Sequence, residues 1–319
     1  MDQGKIAFLF PGQGSQTVGM GKDIDAQFPE ARAVYDAADA ALDRSVRALC
    51  FEGPEAELTL TANTQPAILT TSIALLRVLQ AQSGITPAFV AGHSLGEYSA
   101  LVCAGALDFA DAVLSVRKRG EYMQDAVPPG VGTMAAIIRI GEDTVRELCE
   151  SVSREGHIVV NANINCPQQY VISGHREAVR EVMDKAKGAG GMAVPLAVSA
   201  PFHSPLMRKA AKELEQWLAQ IAFRDPEVPL INNAEAALLR SGNEARASLV
   251  RQMESPVLWE ASMRKLIGLG VDTFVEIGPG KVLNGLMKRI DKGVTMLNVS
   301  DSASLNETLE FLGHEAPEI

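Results

Sequence analysis

The residues best suited to chemistry begin with Gly92-His93-Ser94-Leu95-Gly96, a Gly-x-Ser-x-Gly pentapeptide. Phe89-Val90-Ala91 ahead of it is apolar and β-prone, and Ser99 to Leu107 beyond it reads as a helix. A serine on a sharp strand-to-helix turn presents its hydroxyl to a pocket, and flanking glycines let strand and helix approach closely. Such a nucleophile elbow points to acyl transfer through Ser94. The Leu95 N–H, at the helix start, is placed to donate to an oxyanion. Taken alone the pentapeptide also describes a plain glycine-rich turn; the flanking elements favour the nucleophile. A second loop, Pro11-Gly12-Gln13-Gly14-Ser15-Gln16, follows a short apolar run. Its glycines allow close approach to a ligand and Gln13 can offer an N–H, although the stretch reads equally as an ordinary connection.

A serine nucleophile needs a base, and the chain has five histidines. His157 and His175 fall in a separate unit described below, His314 is near the tail, and His93 adjoins the serine. His203 remains. It precedes Ser204 and Pro205, suited to the N-cap and first position of a helix running to about Leu218. The positive end of a helix dipole disfavours the imidazolium and keeps such a histidine neutral. An isolated histidine is more often structural; here elimination and context select His203 as the base. Arg117-Lys118-Arg119 before Gly120 reads first as a solvated cationic face.

These residues need a scaffold. Ile6–Phe10 and Phe89–Gly92 read as buried strands, and Phe28–Leu49 and Pro66–Gln82 as helices, with Pro66 at a first helical position. Asp108 is suited to cap the next helix. From about 132 to 198 the order becomes β-α-β-β-α-β, a ferredoxin-like split unit. It starts after Pro128-Pro129-Gly130 and suggests an inserted subdomain, 132–198, within a catalytic core formed by 1–131 and 199–319. The later helices cover about Ala245–Gln252 and Glu260–Leu269. Asp272–Ile277 reads as a strand ending at Gly278-Pro279-Gly280-Lys281, and a helix follows to Ile290. That turn is not a phosphate loop, since Val282 stands where Ser or Thr is needed; a structural turn at the pocket rim is expected. The chain closes with a terminal helix from about Asn306 and a frayed tail.

Hydrophobic residues make up 47% of the 319, charged residues 21%, and the formal charge is −10. This is a globular composition, and the acidic balance argues against a nucleic-acid binder. No apolar run is long enough to span a membrane and the N-terminus lacks a signal-peptide pattern, so a cytoplasmic protein is expected. The four cysteines are scattered without metal-ligand spacing and read as reduced thiols.

Together the motifs resemble those of the malonyl-CoA:acyl carrier protein transacylases of fatty-acid synthesis and the related acyltransferase domains of polyketide synthases. The resemblance rests on Phe10 to Gln16, Gly92 to Tyr98, Arg119-Gly120, Pro201 to Met207, Arg251-Gln252 and Glu276 to Leu283, in the family order. It implies an α/β fold with an α/β-hydrolase-like core around the ferredoxin-like insertion. It further implies Ser94 as nucleophile, His203 as base, the Gln13 and Leu95 N–H groups as oxyanion hole, Gln252 as a positioning residue and Arg119 as the anchor for a substrate carboxylate. The implied reaction carries malonyl from malonyl-CoA through a malonyl-serine ester to the phosphopantetheine thiol of acyl carrier protein, with no metal or resident cofactor. Phe202, before the histidine, goes in the synthase domains with malonyl rather than methylmalonyl units. Gln168 departs from a position where many members have glycine, which puts the local main-chain path in question.

The family's carrier protein is acidic, so docking needs a basic patch on a net negative chain. Lys281, Lys288 and Arg289 are the expected patch, Lys185 and Lys187 the second choice, and a solvated face the alternative. A monomer is expected. The competing functions are an acyltransferase loading malonyl or another unit for a polyketide or specialised pathway, a serine hydrolase, and a non-catalytic scaffold. Arg119 weighs against a plain esterase, which has no use for a carboxylate anchor.

Overall fold

A computed structural model describes residues 5–198 and 200–314; the chain ends and Ser199, at the expected core boundary, lie outside the described residues. The first part of the core runs through β1 (Lys5–Phe10), α1 (Lys22–Gln27), α2 (Pro29–Leu42), α3 (Val46–Glu52), α4 (Glu55–Thr59), α5 (Thr61–Ser83), β2 (Phe89–Gly92), α6 (Gly96–Cys103) and α7 (Phe109–Gln124). There follow β3 (Gly132–Ile138), α8 (Glu142–Val152), β4 (Val159–Cys166), β5 (Gln169–His175), α9 (Arg176–Gly188) and β6 (Met192–Pro195). The chain then returns through a 3-10 turn (Pro205–Met207), α10 (Arg208–Leu218), β7 (Leu230–Ile231), β8 (Leu238–Leu239), α11 (Gly242–Gln252) and α12 (Trp259–Gly268). It closes with β9 (Val271–Ile277), α13 (Val282–Ile290), β10 (Thr295–Val299) and α14 (Ser302–Phe311).

The fold is mixed α/β with two sheets. The larger has the order β10-β9-β1-β2-β7-β8, parallel except for β8 at its edge. Alternate residues of β1 face opposite layers, as the strand period requires. Phe8 and Phe10 join the apolar core that includes α5, α6 and α7, whereas Ala7 and Leu9 belong to the one that includes Trp259 and Met263 of α12 and Leu286 of α13. Both sheet faces are therefore covered, which is why the strands read as continuous apolar runs. The second sheet is antiparallel, in the order β4-β5-β3-β6, with its own core against α8 and α9. Its β4 edge joins the first unit through Ile164 N–H to Val257 O and Val257 N–H to Ala162 O, both 2.9 Å.

Several local expectations change. The single helix over 28–49 is two, because Asp43 takes a left-handed conformation (φ 49°) between α2 and α3. The second helix begins at Thr61 and carries Pro66 inside it. A proline cannot donate to the carbonyl one turn back. Here that carbonyl, Ala62 O, accepts from Arg117 Nη1 at 3.0 Å, which makes the interior proline tolerable. Arg117 also binds Asn63 and Glu121 and Lys118 pairs with Glu121, so Arg117 is a clamp between α7 and α5 rather than a solvated charge. Asp108 caps α7 as expected. Ser204 holds its cap position, but its hydroxyl donates back to Pro201 O at 2.7 Å instead of capping. Gln168 itself adopts the left-handed region (φ 60°) that glycine would favour, so the tight β4–β5 turn persists. The short β8 and the partly buried β10 are additional to the sequence reading. The four cysteines are free thiols. No helix among the described residues is long and apolar enough to cross a membrane.

Candidate active site

The ends of β1 and β2 lie side by side, with Phe10 opposite Gly92, so their following loops share one crevice at the carboxyl edge of the parallel sheet. Gly92 and Gly96 are required there. A Cβ on Gly92 would fall within the Gly96 carbonyl, and one on Gly96 within the Phe10 carbonyl. This close contact forces the chain to turn at Ser94, whose φ of 51° costs of the order of 1–3 kcal/mol for a residue with a side chain. Asn233, after β7, holds the turn: its Oδ1 accepts from Ser94 N–H at 2.6 Å and its Nδ2 donates to Gly92 O at 2.7 Å.

His203 is also left-handed, with φ 55°. Its Nε2 lies 2.8 Å from Ser94 Oγ, and its Nδ1 lies 2.9 Å from the main-chain oxygen of Gln252. A carbonyl only accepts, so the proton sits on Nδ1 and the lone pair on Nε2 faces the serine. The orienting partner is thus the end of α11, a main-chain group rather than an acid. Burial drives the His203 pKa down to about 3, with the Arg119 charge as the next cause. Burial and the Arg119 charge, rather than the helix terminus invoked from the sequence, are the causes that favour the neutral imidazole.

Arg119 on α7 is only 1% exposed. Its hydrogen bonds run to Gln65 Oε1 (2.7 Å), Gln252 Oε1 (2.8 Å) and Ser94 Oγ (3.1 Å), while its Nε has no partner. All three acceptors are neutral, and Arg119 enters no ion pair among the described residues. Tyr98 adds its ring, 5.8 Å from the guanidinium carbon. Burial lowers the Arg119 pKa from its ordinary value, offset in part by Tyr98 and Glu97. A buried guanidinium with no direct ion pair, beside Ser94 Oγ, is a place where an anion gains greatly.

Gln252 lies behind this group rather than in the pocket. Its Nε2 donates to Ser94 O (3.0 Å) and to Glu97 Oε2 (2.9 Å). Gln13, Leu95 and Phe202 line the same cavity of about 270 Å³ as Ser94, Arg119 and His203. The Gln13 side chain turns to Thr61 at 3.3 Å, and the pocket's far wall comes from Met134, Ala136 and Val171 of the small sheet. Val282, Leu283 and Leu286 of α13 complete the lining, whereas the Gly278–Lys281 turn expected at the rim is not among the lining residues. Glu276 fixes that turn by accepting from Leu283 N–H and Asn284 N–H; burial raises its pKa to about 7.

Sequence reasoning missed Glu97, Asn233, Gln65 and the His93–Asn165 pair. His93 Nε2 and Asn165 Oδ1 are 2.9 Å apart and join the elbow to β4. Only Glu97, inside the elbow motif, carried a signal: a charged residue on an otherwise apolar helix that must be buried. In the patch expected for docking, Lys281 and Lys288 are exposed, but Arg289 is tied to Pro167 O and Gln169 Oε1. Lys185 and Lys187 pair with Glu181 and Asp184.

A family model described as the acyl transferase domain matches residues 7–305. The chain is 49% identical over 312 residues to the malonyl CoA-acyl carrier protein transacylase of Bacillus subtilis (strain 168), covering 98% of each. It is 48% identical to the protein of that name from Escherichia coli (strain K12), over 96% of this chain and 99% of that one. Among solved structures it is similar to the malonyl CoA-acyl carrier protein transacylase of Coxiella burnetii, with TM-score 0.95, 41% identity and 98% coverage of both chains. It is equally similar to a malonyl-transacylase in complex with a type II polyketide synthase acyl-carrier protein. That match has TM-score 0.94 and 44% identity, over 96% of this chain and 99% of the other.

Proposed function

This chain belongs to the acyl transferase domain family, and we propose that it transfers malonyl from malonyl-CoA to the phosphopantetheine thiol of an acyl carrier protein in fatty-acid synthesis. The single observation that carries the substrate class is Arg119, a buried guanidinium bonded only to neutral acceptors and 3.1 Å from Ser94 Oγ. An acyl unit with a distal carboxylate can place that carboxylate on the guanidinium fork while its thioester carbonyl meets Ser94. Uncharged acyl groups leave the cation unpaired.

His203 Nε2 takes the Ser94 proton as Oγ attacks the thioester carbon. The oxyanion faces the Gln13 and Leu95 N–H groups; the C–S bond then breaks and CoA leaves with the proton from His203. In the second half the carrier thiol gives its proton to His203 and attacks the ester carbonyl, and Ser94 recovers its proton on leaving. Proton and acyl group balance among these residues and the two thiols, so no resident cofactor is needed. Phe202, beside His203, crowds a substituent on the substrate's α-carbon.

The strand order β4-β5-β3-β6 supports reading 132–198 as a ferredoxin-like subdomain and 1–131 with 199–319 as an α/β-hydrolase-like core. Carrier docking falls to Lys281 and Lys288, which have no ion pair among the described residues. A cytoplasmic site of action fits the four free thiols. The test incubates the protein with malonyl-CoA, follows intact mass, then adds carrier protein. The proposal expects a malonyl adduct, absent in Ser94→Ala and discharged by the carrier. An adduct formed only with uncharged acyl-CoA would overturn it.

A further inference from the structure

The Glu97 carboxylate is fully buried on α6, three residues beyond Ser94. Every group that reaches it donates. Asn233 N–H and Gln252 Nε2 each approach one oxygen at 2.9 Å, and Ser248 Oγ approaches the other at 3.3 Å. A carboxylate, with acceptors alone, matches this set. The consequence lies one bond further out. A glutamine amide can be seated in two ways, and Glu97 selects one for Gln252. With Nε2 held by Glu97 and Ser94 O, Oε1 is left facing Arg119 Nη2 at 2.8 Å. The opposite seating would set the NH₂ against the guanidinium, donor against donor. Asn233, whose N–H is held by the same Glu97 oxygen, fixes the elbow at Ser94 N–H and Gly92 O.

We propose that Glu97 is a positioning residue for acyl selectivity: by accepting from Gln252 it fixes the amide orientation that holds Arg119 ready for a distal carboxylate. This rests on the reading of Arg119 as the carboxylate anchor. Burial raises the Glu97 pKa to about 7. Its protonated form still turns an acceptor oxygen to Gln252, so the orientation holds on both sides of neutrality.

The test compares kcat/KM for acylation of Ser94 by malonyl-CoA and acetyl-CoA. Glu97→Leu removes the acceptor and lowers the malonyl-to-acetyl ratio at least about tenfold, as expected for loss of one buried hydrogen bond to a charged group. Glu97→Gln keeps an acceptor oxygen for Gln252 and Asn233 and turns its amide to Ser248, so its ratio stays within roughly threefold of wild type. In a Gln252→Met background, Glu97→Leu lowers the ratio no further, because the relay is already gone. If Glu97→Leu does not fold by circular dichroism, Glu97→Asp replaces it. That variant draws the carboxylate back from Gln252, with the same fall expected. An unchanged ratio in the Leu or Asp variant, a fall in Glu97→Gln as large as theirs, or additivity with Gln252→Met would each overturn the inference. A wild-type protein that does not distinguish malonyl from acetyl would overturn the anchor reading itself.

Discussion

The core wall of the pocket holds Ser94, His203 and Arg119 in hydrogen bonds of 2.6–3.1 Å, whereas the small-sheet wall offers Met134, Ala136 and Val171 beside the amides of Asn163, Asn165 and Gln169. The first wall is polar and buried, with two non-glycine residues in the left-handed region. Each of its groups is held by others, so removing one leaves another unsatisfied in a low-dielectric setting. The second wall mixes apolar side chains with neutral amides and contributes no charged or nucleophilic group to the lining. Chemistry is therefore concentrated on the carboxyl ends of the parallel strands and the helices behind them, and the antiparallel unit supplies enclosure. Changes on the first wall are expected to act on reaction and charge recognition, and changes on or near the second on fit.

The largest effect falls on the base. His203→Gln slows acylation by malonyl-CoA roughly 10²–10⁴-fold in a single-turnover measurement. The same variant reports linkage. The His203 pKa falls from 6.5 to about 3 on folding, so below pH 6.5 the unfolded chain takes up a proton that the folded one does not. The stability of wild type relative to His203→Gln is then fully present above pH 6.5 and declines as pH falls towards 3. Denaturant titrations across that range check the slope, and a flat difference would contradict it. Arg117→Ala, just behind the polar wall, removes the donor to the carbonyl that Pro66 leaves free. A stability loss of about 1–3 kcal/mol with an unchanged malonyl-to-acetyl ratio is expected from thermal unfolding and kinetics.

Those two residues also mark what the sequence made legible. The elbow was readable because Gly92 and Gly96 constrain the local chain, and His203 because of its place before a helix. Arg119 could be separated from Arg117 only by family resemblance: residues two positions apart on one helix differ in what they face, and composition does not encode that. Asn233 meets Glu97 across 136 residues and the Gln252 carbonyl meets His203 across 49, and such pairings leave no local pattern. The start of α5 was missed because a proline usually ends or begins a helix, and the remedy, Arg117, lies on another element. The partly exposed β10 lacks the full apolar signature of its buried neighbours.

Smaller effects sharpen the contrast at the pocket's edges. Phe202→Ala, where the two walls meet, should raise methylmalonyl relative to malonyl acylation by roughly tenfold, the scale of one methyl group in a fitted pocket. An unchanged ratio would place the crowding elsewhere. Lys288→Glu, outside both walls, should raise KM for carrier protein about two- to fivefold, as for an exposed ion pair, and leave KM for malonyl-CoA unaltered. No change in carrier KM would remove this docking surface.

The proposed role of Arg119 is to select a carboxylate-bearing acyl group for Ser94. The most direct measurement presents wild type and Arg119→Ala with an equal mixture of malonyl-CoA and acetyl-CoA and reads the two Ser94 adducts by intact mass. Wild type is expected to carry malonyl almost alone, and Arg119→Ala to lose that preference by roughly a hundredfold, the equivalent of about 3 kcal/mol from a buried charge-assisted contact. Equal losses of both adducts in Arg119→Ala would contradict the account.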